Sequence, residues 1–281
     1  MYYRLGLIGH PVKQSLSPWI HSEFLKRSHL KGQYDLIDVH PEEALENVLH
    51  HLQHEGYHGF NVTVPYKEKI MNYLDIVDEH AHRVGAVNTV ARRGGKWIGY
   101  NTDGIGYVRA LEEKYPKFFL GAEKNVLLIG AGGAARGIYA SLLTKPLQRI
   151  DLANRTLQHA ENIKIMNETS IQTDILSLER ARELCSTYDL IIQTTVVGMN
   201  PHENEMIMSF PVLRKEQIVS DIVYQPIMTK FLRDAKSKGA QIHLGHSMLL
   251  HQAQVAFEIW TDQLVELEKM DHQLEDILKG R

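Results

Sequence analysis

Lys67 and Asp103 stand among residues whose types suit proton transfer at a polar substrate. Asn61-Val62-Thr63-Val64-Pro65-Tyr66-Lys67 leaves an apolar run through a proline, which ends a strand and presents polar side chains and a lysine at its rim. Asn88 and Asn101-Thr102-Asp103 flank a second feature, Thr89 to Arg93 and Lys96 to Tyr100 around Gly94-Gly95, which reads as a β-hairpin. Oxidising an alcohol needs a group that takes the hydroxyl proton as hydride leaves for a cofactor. As a free amine Lys67 can be that group, and Asp103 can orient it and hold the substrate hydroxyl. A lone Lys and Asp so far apart in sequence are more commonly a solvated pair, so the rest of the chain must support the reading.

That support starts at Asn125 to Gly137, NVLLIGAGGAARG. Val126 to Ile129 suit a strand buried on both faces of a parallel sheet, and Gly130, Gly132 and Ala135 fill the G-x-G-x-x-G/A positions of a dinucleotide loop. Gly130 permits the tight turn, and Gly132 lets backbone approach a pyrophosphate at the N-terminus of a helix opening near Ala134. A second apolar run, Arg149 to Ala153, follows at βαβ spacing. An NAD site usually places a carboxylate beyond that strand for the ribose 2′-hydroxyl, whereas here stand Asn154-Arg155-Thr156. Arg155 can grip a 2′-phosphate with its planar fork while Asn154 and Thr156 add neutral hydrogen bonds, which favours NADP. The plainer alternative makes Arg155 a solvated residue at a strand end.

These residues need a scaffold. The 281 residues, 43% hydrophobic, are enough for two domains with substantial cores. A net charge of -3 gives no basic excess, so neither nucleic acid nor an anionic membrane is expected as a partner. Cys185 is the only cysteine, which excludes an internal disulfide and fits a reducing compartment. No apolar run is long enough for a signal peptide or a membrane span, so a cytoplasmic protein is expected. Strands are expected at Arg4 to Ile8, Tyr34 to Val39 and Gly59 to Val64, with helices at Trp19 to Ser28, Glu42 to Gln53, Lys67 to Leu74 and Val77 to Arg83. With the hairpin these make an N-terminal α/β domain with a mixed sheet, closing near Asp103, which is also a candidate cap for a helix over Gly104 to Tyr115. A Rossmann-like, doubly wound domain follows to about residue 245, with further strands near Ile171 to Thr173, Leu190 to Thr194, Ile218 to Val223 and Gln241 to Leu244. A last helix, Met248 to about Leu267, is expected to return to the first domain, and the charged end, Asp271 to Arg281, to fray.

Seven motifs in order resemble those of the shikimate dehydrogenases: Ser15-Leu16-Ser17-Pro18, Gly59 through Lys67, Gly85-Ala86-Val87-Asn88-Thr89, Asn101-Thr102-Asp103-Gly104, Gly130 to Ala134, Asn154-Arg155-Thr156 and Gln252-Ala253. The resemblance spans nearly the whole chain. It implies reversible NADP-linked reduction of 3-dehydroshikimate to shikimate, a step toward chorismate and the aromatic amino acids. It makes Lys67 the proton acceptor and donor and Asp103 its substrate-binding partner. Ser15, Ser17, Thr63, Asn88 and Gln252 are implied to bind the substrate carboxylate and hydroxyls, with Tyr224 nearby. A ring acid bearing several hydroxyls calls for such neutral partners. Ser15 and Ser17 have the alternative of capping the helix before Trp19. Gly130, Ala131, Gly132, Gly133 and Ala134 are implied to form the pyrophosphate loop and Asn154, Arg155 and Thr156 the 2′-phosphate site. Ile222 and Gly245 are implied to lie near the nicotinamide, and Glu79 is a further candidate for the cofactor. Small-molecule substrates and a monomer or homodimer are the implied partners. Two relatives of this reading stay open: a quinate/shikimate enzyme using NAD as well as NADP, and a catalytically silent nucleotide sensor.

The chain departs from the pattern in places. His159 stands where a second Arg or Lys is common after Asn-Arg-Thr, Gln14 replaces a common His, Ser247 replaces a usual Gly, and Gln193 replaces a frequent Asn, the last with little consequence expected. Among sixteen histidines, His50 and His54 share an i, i+4 helix face, but without a third ligand no metal site is expected.

Overall fold

The computed structural model describes residues 1–121 and 124–280 and divides the chain into two compact units. The first comprises Met1–Gly106 and Gln252–Glu266; the second comprises Tyr107–His251 and the chain from Leu267 onward.

In the first unit β1 (Tyr2–Gly9), β2 (Lys31–Asp38) and β3 (Gly59–Val62) run parallel and are linked by α1 (Ser17–Arg27) and α2 (Leu45–His54). A 3-10 turn over Lys69–Tyr73 leads to β4 (Ile76–Val77), α3 (Glu79–Val84) and the hairpin β5 (Thr89–Arg93) and β6 (Lys96–Tyr100). The spatial order is β2-β1-β3-β5-β6-β4, with β5 antiparallel to both neighbours. The mixed sheet follows from the hairpin, because a two-residue turn reverses the chain where a helix crossover would keep it parallel. Leu45, Leu49 and Leu52 line one face of α2 and pack with Phe60, Val62, Val90 and Trp97 into the core on that side.

The second unit opens with α4 (Asp103–Lys114), whose first turn still belongs to the first unit. It continues through β7 (Lys124–Ile129), α5 (Gly133–Leu142), β8 (Leu147–Ala153), α6 (Leu157–Lys164), β9 (Ile175–Leu176) and α7 (Leu178–Leu184). Next come β10 (Leu190–Gln193), β11 (Ile218–Asp221), α8 (Lys230–Ser237), β12 (Gln241–His243), α9 (Gly245–Thr261), which from Gln252 on belongs to the first unit, and α10 (Met270–Lys279). All six strands are parallel in the order β12-β11-β10-β7-β8-β9, so the winding reverses between β7 and β10. Val126 to Ile129 and Leu190 to Ile192 are wholly buried, as a sheet covered on both faces requires.

Several expectations need correction. Residues 171–173 make one isolated bridge, Arg149 with Gln172, and the ladder resumes as β9 at Ile175; between them the Thr173 hydroxyl pairs with the Tyr139 hydroxyl at 2.8 Å. Val77 ends a strand, and α3 begins only after Asp78, whose carboxylate accepts from the His80 N–H at 3.0 Å. The last helix stops at Thr261, where the next residue, Asp262, takes a φ of 56°. The chain end forms α10 over most of the stretch expected to fray, because Met270, Leu274 and Leu278 form a buried i, i+4, i+8 stripe among the charges; Arg281 lies outside the described residues. The expected division at residues 103 and 245 differs from that of the compact units, since α10 groups with the second unit, where Asp271 meets His246 of α9 at 3.2 Å.

Candidate active site

The first unit brings Lys67 and Asp103 together. Lys67 follows β3 and the turn at Pro65, and its backbone C=O is held by the Val87 N–H at 2.8 Å. Asp103 follows β6 and is the first residue of α4. The hairpin thus returns the chain so that Lys67 Nζ donates to Asp103 Oδ2 at 2.6 Å. The lysine side chain keeps 31% of its surface and the aspartate 10%, so the ammonium is reachable while the carboxylate is nearly enclosed. The Asp103 carboxylate is turned to Lys67 and to Asn88, whose Nδ2 donates to Oδ1 at 2.7 Å. Asn88, directly before β5, is locked in turn, its Oδ1 accepting from the Thr102 N–H at 2.8 Å.

The other expected substrate residues take separate places. Ser15 Oγ donates to Ser17 Oγ at 3.1 Å and accepts from the Ser17 N–H at 3.2 Å, while Leu16 is the N-cap of α1 and no side chain caps that helix. Thr63 donates its N–H to the Ile8 C=O at 2.9 Å, which fixes it beyond β1 and β3. Gln252 lies where α9 crosses the first turn of α4 so closely that a Cβ on Gly106 would stand 2.4 Å from the Gln252 nitrogen. Tyr224 belongs to the second unit, half-buried after β11. Asn61 escaped the sequence-based site set although it lies in the quoted Gly59 to Lys67 motif. It is buried between Tyr34, whose hydroxyl donates to its Oδ1 at 2.7 Å, and Thr89, which accepts from its Nδ2 at 3.0 Å.

In the second unit the glycine loop sits at the reversal of the sheet. Gly130 has φ 114°, and a Cβ there would lie 2.5 Å from Thr194 Oγ1 on the neighbouring strand end, so only glycine fits. The loop then opens: Gly132 and Gly133 are exposed with free space where side chains would stand, and Gly132 begins α5 with no side-chain cap. Backbone N–H groups at an uncapped helix start, reached without side-chain obstruction, fit a pyrophosphate. Ala131 and Ala134 flank them, half-buried. At the end of β8, Asn154 Nδ2 donates to the Thr156 C=O at 2.8 Å, and Arg155 and Thr156 are exposed, as is His159 one turn on. Gly245 packs against Ile222 so tightly that a Cβ would lie 2.6 Å from the Ile222 carbonyl. Ser247, standing where a glycine was expected, is accommodated by donating its hydroxyl to the Leu244 C=O at 2.8 Å. Glu79 is an exposed residue of α3 in the first unit and pairs with Arg83 at 3.3 Å.

Gln193 matters more than its sequence suggests. Wholly buried at the end of β10, it accepts from the Thr195 N–H and donates to Asp221 Oδ1 at 3.0 Å. Burial pushes the Asp221 carboxyl up to about 6, against hydrogen bonds from Thr229, Val223 and Gln193 that favour the ionised form. No sequence signal distinguishes that residue from an ordinary strand-end aspartate.

Three family models match the chain: the shikimate dehydrogenase substrate binding domain over residues 7–90, shikimate / quinate 5-dehydrogenase over 115–226, and the shikimate 5'-dehydrogenase C-terminal domain over 245–275. The NADP(+) shikimate dehydrogenase of Oceanobacillus iheyensis is 52% identical over 281 residues, covering 100% of both chains. A shikimate dehydrogenase solved in complex with NADP+ superposes with a TM-score of 0.88 at 38% identity, covering 99% of this chain and 96% of that one. The Thermus thermophilus shikimate 5-dehydrogenase solved with NADP(H) and shikimate gives 0.84 at 33% identity, covering 98% and 99%. With identity of this level across its full length, the chain belongs to the shikimate dehydrogenase family.

Proposed function

We propose that this chain catalyses the reversible, NADP-linked reduction of 3-dehydroshikimate to shikimate, with the first unit binding the substrate and the second the cofactor. The observation that carries the reading is the 2.6 Å contact of Lys67 with a carboxylate already oriented by a buried asparagine. When bound, NADPH supplies the hydride for the substrate's ketone carbon. Lys67 Nζ gives its proton to the carbonyl oxygen as the C–O π bond breaks, and in the oxidising direction the free amine takes the hydroxyl proton back. Asp103 holds Nζ in line and accepts from the same substrate hydroxyl. Because Asn88 occupies one carboxylate oxygen, Asp103 offers its other oxygen to the reacting groups.

Ser15, Ser17, Thr63, Asn88, Gln252 and Tyr224 bind the ring's carboxylate and hydroxyls, and each hydroxyl that finds a partner penalises an analogue lacking it. Gly130, Ala131, Gly132, Gly133 and Ala134 hold the pyrophosphate, Asn154, Arg155 and Thr156 the 2′-phosphate, and Ile222 and Gly245 the nicotinamide. The Arg83 pairing of Glu79 supports a surface role for that residue. The reading places the protein in the cytoplasm as a monomer or homodimer. Among the described residues no helix is long and apolar enough to cross a membrane, and the sole cysteine is a buried free thiol.

The test is NADPH formation from shikimate, run beside quinate and beside NAD. Turnover confined to shikimate with NADP is expected; equal or better use of quinate with NAD overturns the assignment.

A further inference from the structure

Behind the Lys67–Asp103 pair lies a line of buried polar side chains. The Tyr34 hydroxyl donates to Asn61 Oδ1 at 2.7 Å, and Asn61 Nδ2 donates to Thr89 Oγ1 at 3.0 Å and to the Asn88 C=O at 3.2 Å. Thr89 Oγ1 donates to Asn88 Oδ1 at 3.1 Å, and Asn88 Nδ2 donates to Asp103 Oδ1 at 2.7 Å. From β2 through β3 and β5 to the start of α4, every link therefore runs donor to acceptor in one direction and ends on the carboxylate that holds Lys67. None of Tyr34, Asn61, Asn88, Thr89 and Asp103 exceeds 8% exposure.

We infer that Tyr34 is a positioning residue for the reaction, acting on Asp103 through Asn61, Thr89 and Asn88. An asparagine amide can be turned either way, and its two ends differ in whether they give or accept a proton. The phenol, donating to Asn61 Oδ1, and the Asn88 C=O, accepting from Nδ2, agree in turning the NH₂ end toward Thr89, and the Thr89 hydroxyl, having accepted that hydrogen bond, donates its own to Asn88 Oδ1. Together with the Thr102 N–H, which donates to the same Oδ1, this keeps the NH₂ end of Asn88 facing Asp103. The line thus joins the phenol to the carboxylate through two amides whose senses the backbone also holds, and low polarity around it strengthens each link. Burial pushes the Tyr34 hydroxyl's pKa up, so it remains a donor at any working pH. The phenol is itself fixed by stacking on His21, ring centroids 4.4 Å apart and planes within 8°. Tyr34 also has a hydrogen-bonding contact with Ser17, so the Thr89 variants, which leave that contact in place, isolate the effect of the line.

The inference rests on the reaction proposed above, and its test separates the two. Tyr34→Phe keeps the ring and removes the donor. Its kcat with shikimate and NADP is expected to fall roughly five- to twentyfold, the worth of one buried hydrogen bond, with KM for shikimate within about twofold. In protein labelled with ¹⁵N-asparagine, the Asn88 side-chain amide resonances are expected to shift. Thr89→Val, which cuts the line at its middle, is expected to reproduce both effects, and Thr89→Ser, which keeps the hydroxyl, to restore wild-type values. The double variant is expected to be no worse than the poorer single one, as for residues acting in one line. A kcat within twofold of wild type in Tyr34→Phe overturns the inference, as does a loss of kcat with Asn88 unshifted. If the wild-type protein lacks shikimate turnover, the proposed reaction fails, and an unshifted Asn88 resonance then overturns the line by itself.

Discussion

Lys67, Asp103 and Asn88 in the first unit are side chains already paired at 2.6 and 2.7 Å, in a pocket of hydrogen bonds that leaves little freedom. The glycine loop of the second unit offers the opposite: exposed backbone at Gly132 and Gly133, with empty space where side chains would be. The polyhydroxylated substrate demands particular donors and acceptors, whereas a pyrophosphate needs only N–H groups and room. A site of the first kind is lost by changing what a side chain does. A site of the second kind is lost by adding a side chain at all.

Substitutions in each unit sharpen that contrast. Lys67→Ala is expected to lower kcat by roughly 10²- to 10⁴-fold, the scale of losing a general acid or base, with KM for shikimate little changed; unchanged turnover removes Lys67 from the mechanism. Gly130→Ala adds only a methyl, yet it forces a non-glycine residue to φ 114° against Thr194. A stability loss of about 2–4 kcal/mol is expected in denaturant melts, with weakened NADP binding by titration, whereas an alanine tolerated without loss means the loop can relax.

A third comparison uses one buried histidine in each unit, His21 and His243, both pushed by burial down to about 3. A histidine whose folded pKa lies below its unfolded value takes up protons on unfolding, so its contribution is fully present above about 6.5 and is lost as pH falls toward 3. Asp221, pushed up to about 6, opposes this trend, since its ionisation destabilises the fold as pH rises from about 4 to 6. His21→Phe should reduce the loss of stability between pH 7.5 and 5 by about 2 kcal/mol, measured by urea melts at both pH values; an unchanged loss means His21 is solvated on the time average. The smallest effect belongs to exposed Arg155: Arg155→Ala should raise KM for NADP roughly tenfold and leave KM for NAD and shikimate unaltered, which steady-state kinetics with both cofactors decides.

The second unit was largely legible because buried parallel strands write themselves as apolar runs, and Gly130 to Ala134 mark the turn between β7 and α5. The hairpin was legible from Gly94-Gly95 alone. What escaped notice depends on packing that no local spacing records. The stripe of α10 was hidden by the surrounding charges, and β9 was misplaced because Ile171 and Ile175 are equally apolar candidates. Asn61 and Gln193 look like ordinary strand-end amides until the partners of both ends of each amide are known. Lys67 and Asp103 were readable as chemistry, but their contact rests on how the hairpin folds the intervening residues back.

That hairpin has two ends with different obligations. Its base carries Asn88 and Asp103, whereas at its tip Gly94 and Gly95 have φ of 58° and 82° and open space around both. The five residue pairs between them keep events at the tip away from the base. The tip is accordingly a permissive port: a peptide tag or a reporter dye can be carried there with the Lys67–Asp103 pair left as it stands.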